Sequence, residues 1–191
     1  MRHVSLAFSA AGLTLALAAC AGTSNRDPSP SVAQQPSAAA RGTVSSAQAV
    51  LSAASGSLVS GKLSARATDD GIRLTGEVGG LPANSSHGFH IHERGDCSAA
   101  DASSAGGHFN PAAQPHGRSG HGDYHGGDAD NIVADANGVA KVDRFFPGLV
   151  LGGGSANDAL GKAVIVHAKP DDYTSQPSGN AGDRVACGVI R

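Results

Sequence analysis

The chain has 191 residues, with 14 basic against 16 acidic side chains and a formal net charge of -2. It lacks both the basic excess of a nucleic-acid binder and an acidic tail, so no nucleic-acid partner is expected. Glycine accounts for 27 residues, aromatics for 4% and tryptophan is absent, which favours a turn-rich β protein of small side chains over a helical bundle. The length admits one domain of ordinary size plus an appendage, not two full domains.

Residues 1–20, MRHVSLAFSAAGLTLALAAC, place Arg2 ahead of an apolar run over 4–19 that is short for crossing a bilayer. This is the pattern of an export signal. Its end, Leu17-Ala18-Ala19-Cys20, resembles a bacterial lipobox, in which cleavage leaves a lipidated Cys20 as the mature N-terminus. The alternative is an ordinary signal peptide with an incidental cysteine. Ala21 rather than Asp after the cysteine goes with the outer membrane in a diderm host. The expected location is therefore the exported side, periplasmic or cell-surface, with the membrane engaged only through Cys20. Residues 21–46 are Ser, Ala, Pro, Gln and Gly with little apolar material, too little to offset the entropy of ordering. As a flexible coil this tether would reach roughly 28 Å.

Over residues 47–191 short apolar stretches alternate with Gly, Asp and Asn. They fall at 49–51, 58–59, 72–74, 89–92, 132–134, 139–142, 163–166 and 185–190, with hairpin chemistry at Asp70-Gly71 and Asn137-Gly138. About eight short strands predict an all-β domain, a sandwich or a flattened barrel. Two stretches interrupt the rhythm, a Gly- and His-rich one over 95–130 and a polar, Pro-containing one over 169–184. Long loops inside a compact domain are usually functional.

Six of the nine histidines lie between residues 87 and 121. On a strand at 88–93, period two sends His90 and His92 to one face and Phe89 and Ile91 to the other. His-x-His alone is a weak signal, but His108, His116, His125, Asp128 and, at the end of an apolar run, His167 follow it. Three histidines and a carboxylate gathered by one loop make a closed four-coordinate site of the kind structural zinc prefers. His90, His92, His108 and His167 make an all-imidazole set that suits copper. Seven ligand-type residues supply eight positions, so one must be shared, and His108 is the candidate, since a deprotonated imidazole can bind one metal through each ring nitrogen. His87 and His121 fall outside the pattern and read as surface histidines.

GFHIHERGDC at 88–97, GGHFNP at 106–111, HGGD at 125–128, VIVHAKPDD at 164–172 and GNAGDRVACGVI at 179–190 together resemble the copper/zinc superoxide dismutase family, in its bacterial exported form. The resemblance covers the chain from about residue 47. It implies a Greek-key flattened barrel of about eight antiparallel strands with two long functional loops. It also implies one copper and one zinc ion per subunit, with copper on His90, His92, His108 and His167, zinc on His108, His116, His125 and Asp128, and His108 bridging. Asp171 occupies the place of the aspartate that hydrogen-bonds a copper ligand and a zinc ligand. Arg184, three residues before Cys187, resembles the arginine that guides the anion to copper, a role a planar permanent cation suits. Cys97 and Cys187, an even pair once Cys20 is lipidated, are expected to form a disulfide in an oxidising compartment.

The activity implied is disproportionation of superoxide to dioxygen and hydrogen peroxide by a copper ion that alternates between two oxidation states. Residues from 42 onward carry 11 basic and 15 acidic groups, so attraction of the anion, a known property of this family, requires a local positive funnel. Lys162 and Lys169 are candidates for it. Arg94 stands after Glu93 where the eukaryotic form has an aromatic, which leaves monomer and homodimer both open. The alternative function is a lipoprotein that sequesters copper or zinc without turnover.

Overall fold

The computed structural model describes residues 42–191; the expected export signal, Cys20 and the tether as far as residue 41 lie outside the described residues. Alternation of small apolar and polar side chains builds the strands. In β1 (Ser46–Ala53), Ala47, Ala49 and Leu51 turn inward while Gln48, Val50 and Ser52 face out. The same period runs through β2 (Ser60–Ala67), β3 (Gly71–Gly79) and β7 (Ala140–Pro147). Two-residue strands β4 (Ser86–His87) and β6 (Ile132–Val133), the short β5 (Phe89–His92), and β8 (Ala163–His167) and β9 (Arg184–Val189) complete the set. Among the described residues, helix is limited to one 3-10 turn, Ser103–Ala105, and no helix is long and apolar enough to cross a membrane.

Seven strands form one curled antiparallel sheet in the order β5-β8-β9-β1-β2-β3-β7, and β4 pairs with β6 separately. This is the expected all-β, antiparallel architecture with two long loops. The expected strand at 58–59 is corrected: pairing begins at Ser60, and Leu58 lies 86% exposed ahead of it. The segment that does pair, SGKLSARA, has only Leu63 and Ala65 pointing inward and so carries little apolar signal.

The core lies on the concave face, where Leu63, Ile72, Leu74, Phe89, Ile91 and Phe146 are fully buried. A second, smaller cluster lies on the other face of β8 and β9, where Ile165, Ala163 and Cys187 pack with Ala54, Ala102 and Ala105. β8 is therefore covered on both sides, with Val164 and Val166 in the main core and Ala163 and Ile165 in the smaller one.

β5 is an edge strand, and its free edge is closed by the first long loop. The Phe109 N–H donates to the Ile91 carbonyl at 2.8 Å, and the Ile91 N–H donates to the Gly127 carbonyl at 2.9 Å. Gly127 is required there, because a Cβ would run into the Ile91 carbonyl. This edge pairing carries His108 and Asp128 alongside the two histidines of β5.

Candidate metal centre

Period two on β5 buries Phe89 and Ile91 in the core and sends His90 and His92 to the opposite face. β8 runs antiparallel beside it, with His90 opposite Ile165 and His92 opposite Ala163, so His167 at the end of β8 emerges on the same face. A register shift between Val166 and His167 then sets His167 against Arg184 of β9. His108 joins the group through a bridge pairing with His92. All four imidazoles are buried, and the His90 and His108 ring centroids stand 4.0 Å apart.

The hydrogen bonds determine which ring nitrogen of each histidine is free. His92 Nδ1 donates to the Gly106 carbonyl at 2.9 Å and His167 Nδ1 to the Gly182 carbonyl at 3.2 Å, so each keeps its lone pair on Nε2. His90 Nε2 donates to Asp171 Oδ2 at 2.7 Å, which leaves Nδ1 free. His90 Nδ1, His92 Nε2, His108 Nε2 and His167 Nε2 are all buried without a hydrogen-bond partner. Buried polar atoms are rarely left unpaired, and a cluster of four converging lone pairs has the character of a cation site.

A second group adjoins the first. His108, His116, His125 and Asp128 each present one ligand-type atom, and within each of the two groups these atoms lie within 4.8 Å of one another. His116 Nδ1 and His125 Nδ1 are buried and unpaired, 3.1 and 3.4 Å from the Asp128 carboxylate. Ligands on a tetrahedral metal stand about 3.3 Å apart, so this spacing is already that of a zinc-type site. His108 belongs to both groups, with Nε2 turned to the first and Nδ1 2.7 Å from Asp128 Oδ1. Asp171 joins them by a second route, accepting from His90 Nε2 and, at 3.0 Å, from His116 Nε2.

Burial and electrostatics suit His92, His108 and His167 to the neutral state that a metal ligand needs. Burial, then repulsion from His108 and His167, pushes His92 well below the usual imidazole range. Burial lowers His167 to about 3 and, against the pull of Asp128, His108 to about 4. His116 goes the other way: burial opposes its charge, but the contacts with Asp128 and Asp171 outweigh it and raise the ring to about 9. Burial likewise opposes charge on Asp128 and Asp171, yet their histidine partners hold both well below the usual carboxylate range.

A cavity of about 360 Å³ opens onto the first group and is lined by His92, His108, His167, Pro177 and Arg184 among others. The Arg184 guanidinium is held by two backbone carbonyls, Ala102 at 2.7 Å and Gly106 at 2.6 Å. Burial lowers its pKa, but from a starting point so high that it stays a cation. Both carbonyls lie on the loop that the Cys97–Cys187 disulfide fastens to β9.

One reading of the sequence needs correction. His87 is not a surface residue: it is buried, bonded through Nδ1 to the His167 carbonyl at 2.7 Å and through Nε2 to Ser85 Oγ at 2.6 Å. Period two carried back from Phe89 across Gly88 would have placed it on the core side. His121, by contrast, is exposed. Neither candidate lysine lines the cavity; Lys162 sits over the Phe109 ring at 4.7 Å and donates to the Glu93 carbonyl.

The family description copper/zinc superoxide dismutase (SODC) matches residues 59–190. The chain belongs to the copper/zinc superoxide dismutase family. It is 43% identical over 136 residues to "Superoxide dismutase [Cu-Zn] 2" of Aquifex aeolicus, covering 70% of this chain and 80% of that one. To "Superoxide dismutase [Cu-Zn]" of Caulobacter vibrioides it is 40% identical over 151 residues, covering 76% and 86%. Among solved structures it resembles a SOD-like protein from Bacillus subtilis, with TM-score 0.68, 35% identity and coverage of 80% and 100%. Its likeness to the clock protein EA4 has TM-score 0.69 at 38% identity, covering 78% and 95%. Copper and zinc are the cofactors of this dismutase family, and the donor sets here fit both: four imidazoles for copper, three imidazoles and a carboxylate for zinc.

Proposed function

We propose that the chain is an exported, lipid-anchored enzyme that disproportionates superoxide to dioxygen and hydrogen peroxide. His90, His92, His108 and His167 hold copper, and His108, His116, His125 and Asp128 hold zinc. When bound, copper supplies one-electron chemistry in both directions, oxidising one superoxide and reducing the next. The chain's own residues do the rest. The Gly106 and Gly182 carbonyls fix the tautomers of His92 and His167, so that each offers Nε2 without a proton to remove. His108 would bridge the sites, Nε2 facing the copper group and Nδ1 the zinc group, and its Nε2 is placed to hold a proton between the two half-reactions. Arg184, at the wall of the cavity and fixed by Ala102 and Gly106, receives the anion.

The observation that carries this reading is the set of six buried, unpaired ring nitrogens, which sort into one all-imidazole group and one His/Asp group with His108 in both. A permanent cation at the mouth of the first group favours turnover over storage, since a sequestering protein has no use for an anion guide. The N-terminal reading belongs to the same proposal: export by residues 1–20, lipidation at Cys20 and a tether from residue 21 that holds the domain off the membrane and ends before Thr43, which bridges Gly152 ahead of β1, rather than at the expected residue 46. A disulfide in the domain accords with an oxidising compartment.

The test is superoxide disproportionation by the purified protein loaded with copper and zinc, beside the double variant His90→Ala, His92→Ala. Fast turnover abolished in the variant is the expected result. Binding of both metals at full stoichiometry without turnover would replace the enzyme with a sequestering protein.

A further inference from the structure

Asp171 touches His90 of the first group and His116 of the second, and what places it lies outside both. Asn131 clamps the Asp171 backbone: its Oδ1 accepts from the Asp171 N–H at 2.8 Å and its Nδ2 donates to the Asp171 carbonyl at 2.9 Å. Asn131 is itself held on several sides. Its N–H and its Nδ2 both donate to the Tyr173 hydroxyl oxygen, at 3.1 and 2.9 Å. Its carbonyl accepts from Arg144 Nη2 at 2.5 Å, and Arg144 takes an inward register position between Val142 and Phe146 of β7.

Tyr173 closes the circuit. Its N–H donates to Asp171 Oδ1 at 2.7 Å, and its backbone has φ +64°, which a bulky L residue adopts only where its surroundings hold it. The Arg118 guanidinium lies 5.3 Å above the phenol ring and is paired with Asp130 at 2.7 and 3.2 Å. Arg118, Asp130 and Asn131 come from the first long loop, Asp171 and Tyr173 from the second. Neither Asn131 nor Tyr173 belongs to a histidine group.

We propose that Asn131 and Tyr173 are positioning residues that set the Asp171 carboxylate between His90 and His116, and so tie the two long loops into one metal-holding unit. The proposal rests on the metal-binding reading of the two groups. Without Asn131 the Asp171 peptide loses both of its side-chain bonds. Without the Tyr173 hydroxyl, Asn131 loses the acceptor for two of its donors. In either case the carboxylate is free to leave His116 Nε2, and the zinc-type group loses the partner that orients one of its ligands.

The experiment loads the full chain and three variants with Co²⁺ in the zinc-type group and follows the visible band of the tetrahedral ion during challenge with EDTA. The variants are Asn131→Ala, Tyr173→Phe and Asp172→Ala. Asp172 anchors the exposed part of the second loop through Thr174, Ser175 and Asn180 without touching the Asp171 side chain. Expected is cobalt loss about 10- to 100-fold faster in Asn131→Ala and Tyr173→Phe, with Asp172→Ala as slow as the parent. The unfolding midpoint of the apo form should fall modestly in Tyr173→Phe with the loss of two hydrogen bonds, while the rise on cobalt binding shrinks in the variant. Tyr173→Phe keeps the ring under Arg118, so it decides the matter if Asn131→Ala does not fold. Retention equal to the parent in Tyr173→Phe, or equal acceleration in Asp172→Ala, would overturn the proposal. A parent that never shows the tetrahedral band would instead overturn the metal-binding reading beneath it.

Discussion

Removal of the Cys97–Cys187 bond should cost the domain more than any single side-chain contact. The two cysteines are 90 positions apart, with Cα atoms 5.8 Å from each other in the fold. Closing a loop of that length in the unfolded chain is worth about 4.6 kcal/mol in the chain-entropy description. Unfolding of about 150 residues carries an entropy of about 2.1 cal/mol/K per residue, so this corresponds to a fall of about 15 °C in Tm. A local effect adds to it. The bond holds the 97–106 loop over β9, where Ala102 and Ala105 pack on Ile165 and Cys187, and Arg184 is fixed by carbonyls of that same loop. The assay is urea unfolding of the apo double variant Cys97→Ala, Cys187→Ala beside the oxidised parent, followed by far-ultraviolet circular dichroism because the chain has no tryptophan. A loss of about 3–5 kcal/mol is expected, together with a lower kcat/KM in the metal-loaded form. A loss below about 1 kcal/mol would refute the entropic reasoning.

Other consequences can be measured separately. In the apo protein His116, raised from 6.5 to about 9, carries a proton at pH 7 that a metal must displace from Nδ1. Calorimetric zinc titrations in buffers of different ionisation heat should show about one more proton released per zinc at pH 7 than at pH 10; equal release would contradict the assignment. The stabilising contribution of protonated His116 to the apo fold is fully present below pH 6.5 and is lost as pH rises through 9. His108 and His167, at about 4 and 3, act oppositely and weaken the apo fold as pH falls below 6.5, so its urea midpoint should drop on acidification. Arg184→Ala should lower kcat/KM about 10-fold or more at low ionic strength, with a smaller ratio at high salt; a salt-independent ratio would point to a purely structural role. Arg73 and Asp143 form a bidentate pair in open solvent, so Arg73→Ala should leave the urea midpoint where it is, and a clear drop would show a coupling that the geometry does not.

Much of the site can be read in the chain because local rules place it. Period two puts His90 and His92 on one face of β5, and residue chemistry separates an all-imidazole set from a His/Asp set. The family resemblance supplied the link between motifs far apart in sequence. β2 is harder to see, because two inward residues, Leu63 and Ala65, are enough once β1 and β3 flank it. His87 was misjudged because its partners, the His167 carbonyl and Ser85 Oγ, satisfy a buried ring that composition alone would leave in solvent.

The amino-acid order settles what local geometry and donor chemistry can settle: strand period, glycine-bearing turns, which side chains can bind metal and which cysteines remain to pair. Only the folded chain decides what meets across long separations. The free edge of β5 recruits the 108–109 and 127 backbone and so delivers His108 and Asp128 to the site. The register shift beside His167 sets Arg184 next to it, and Asn131 and Tyr173 lock Asp171 between His90 and His116. None of these contacts has a sequence period, because each joins groups far apart in the chain, and their register comes from how the sheet curls and packs.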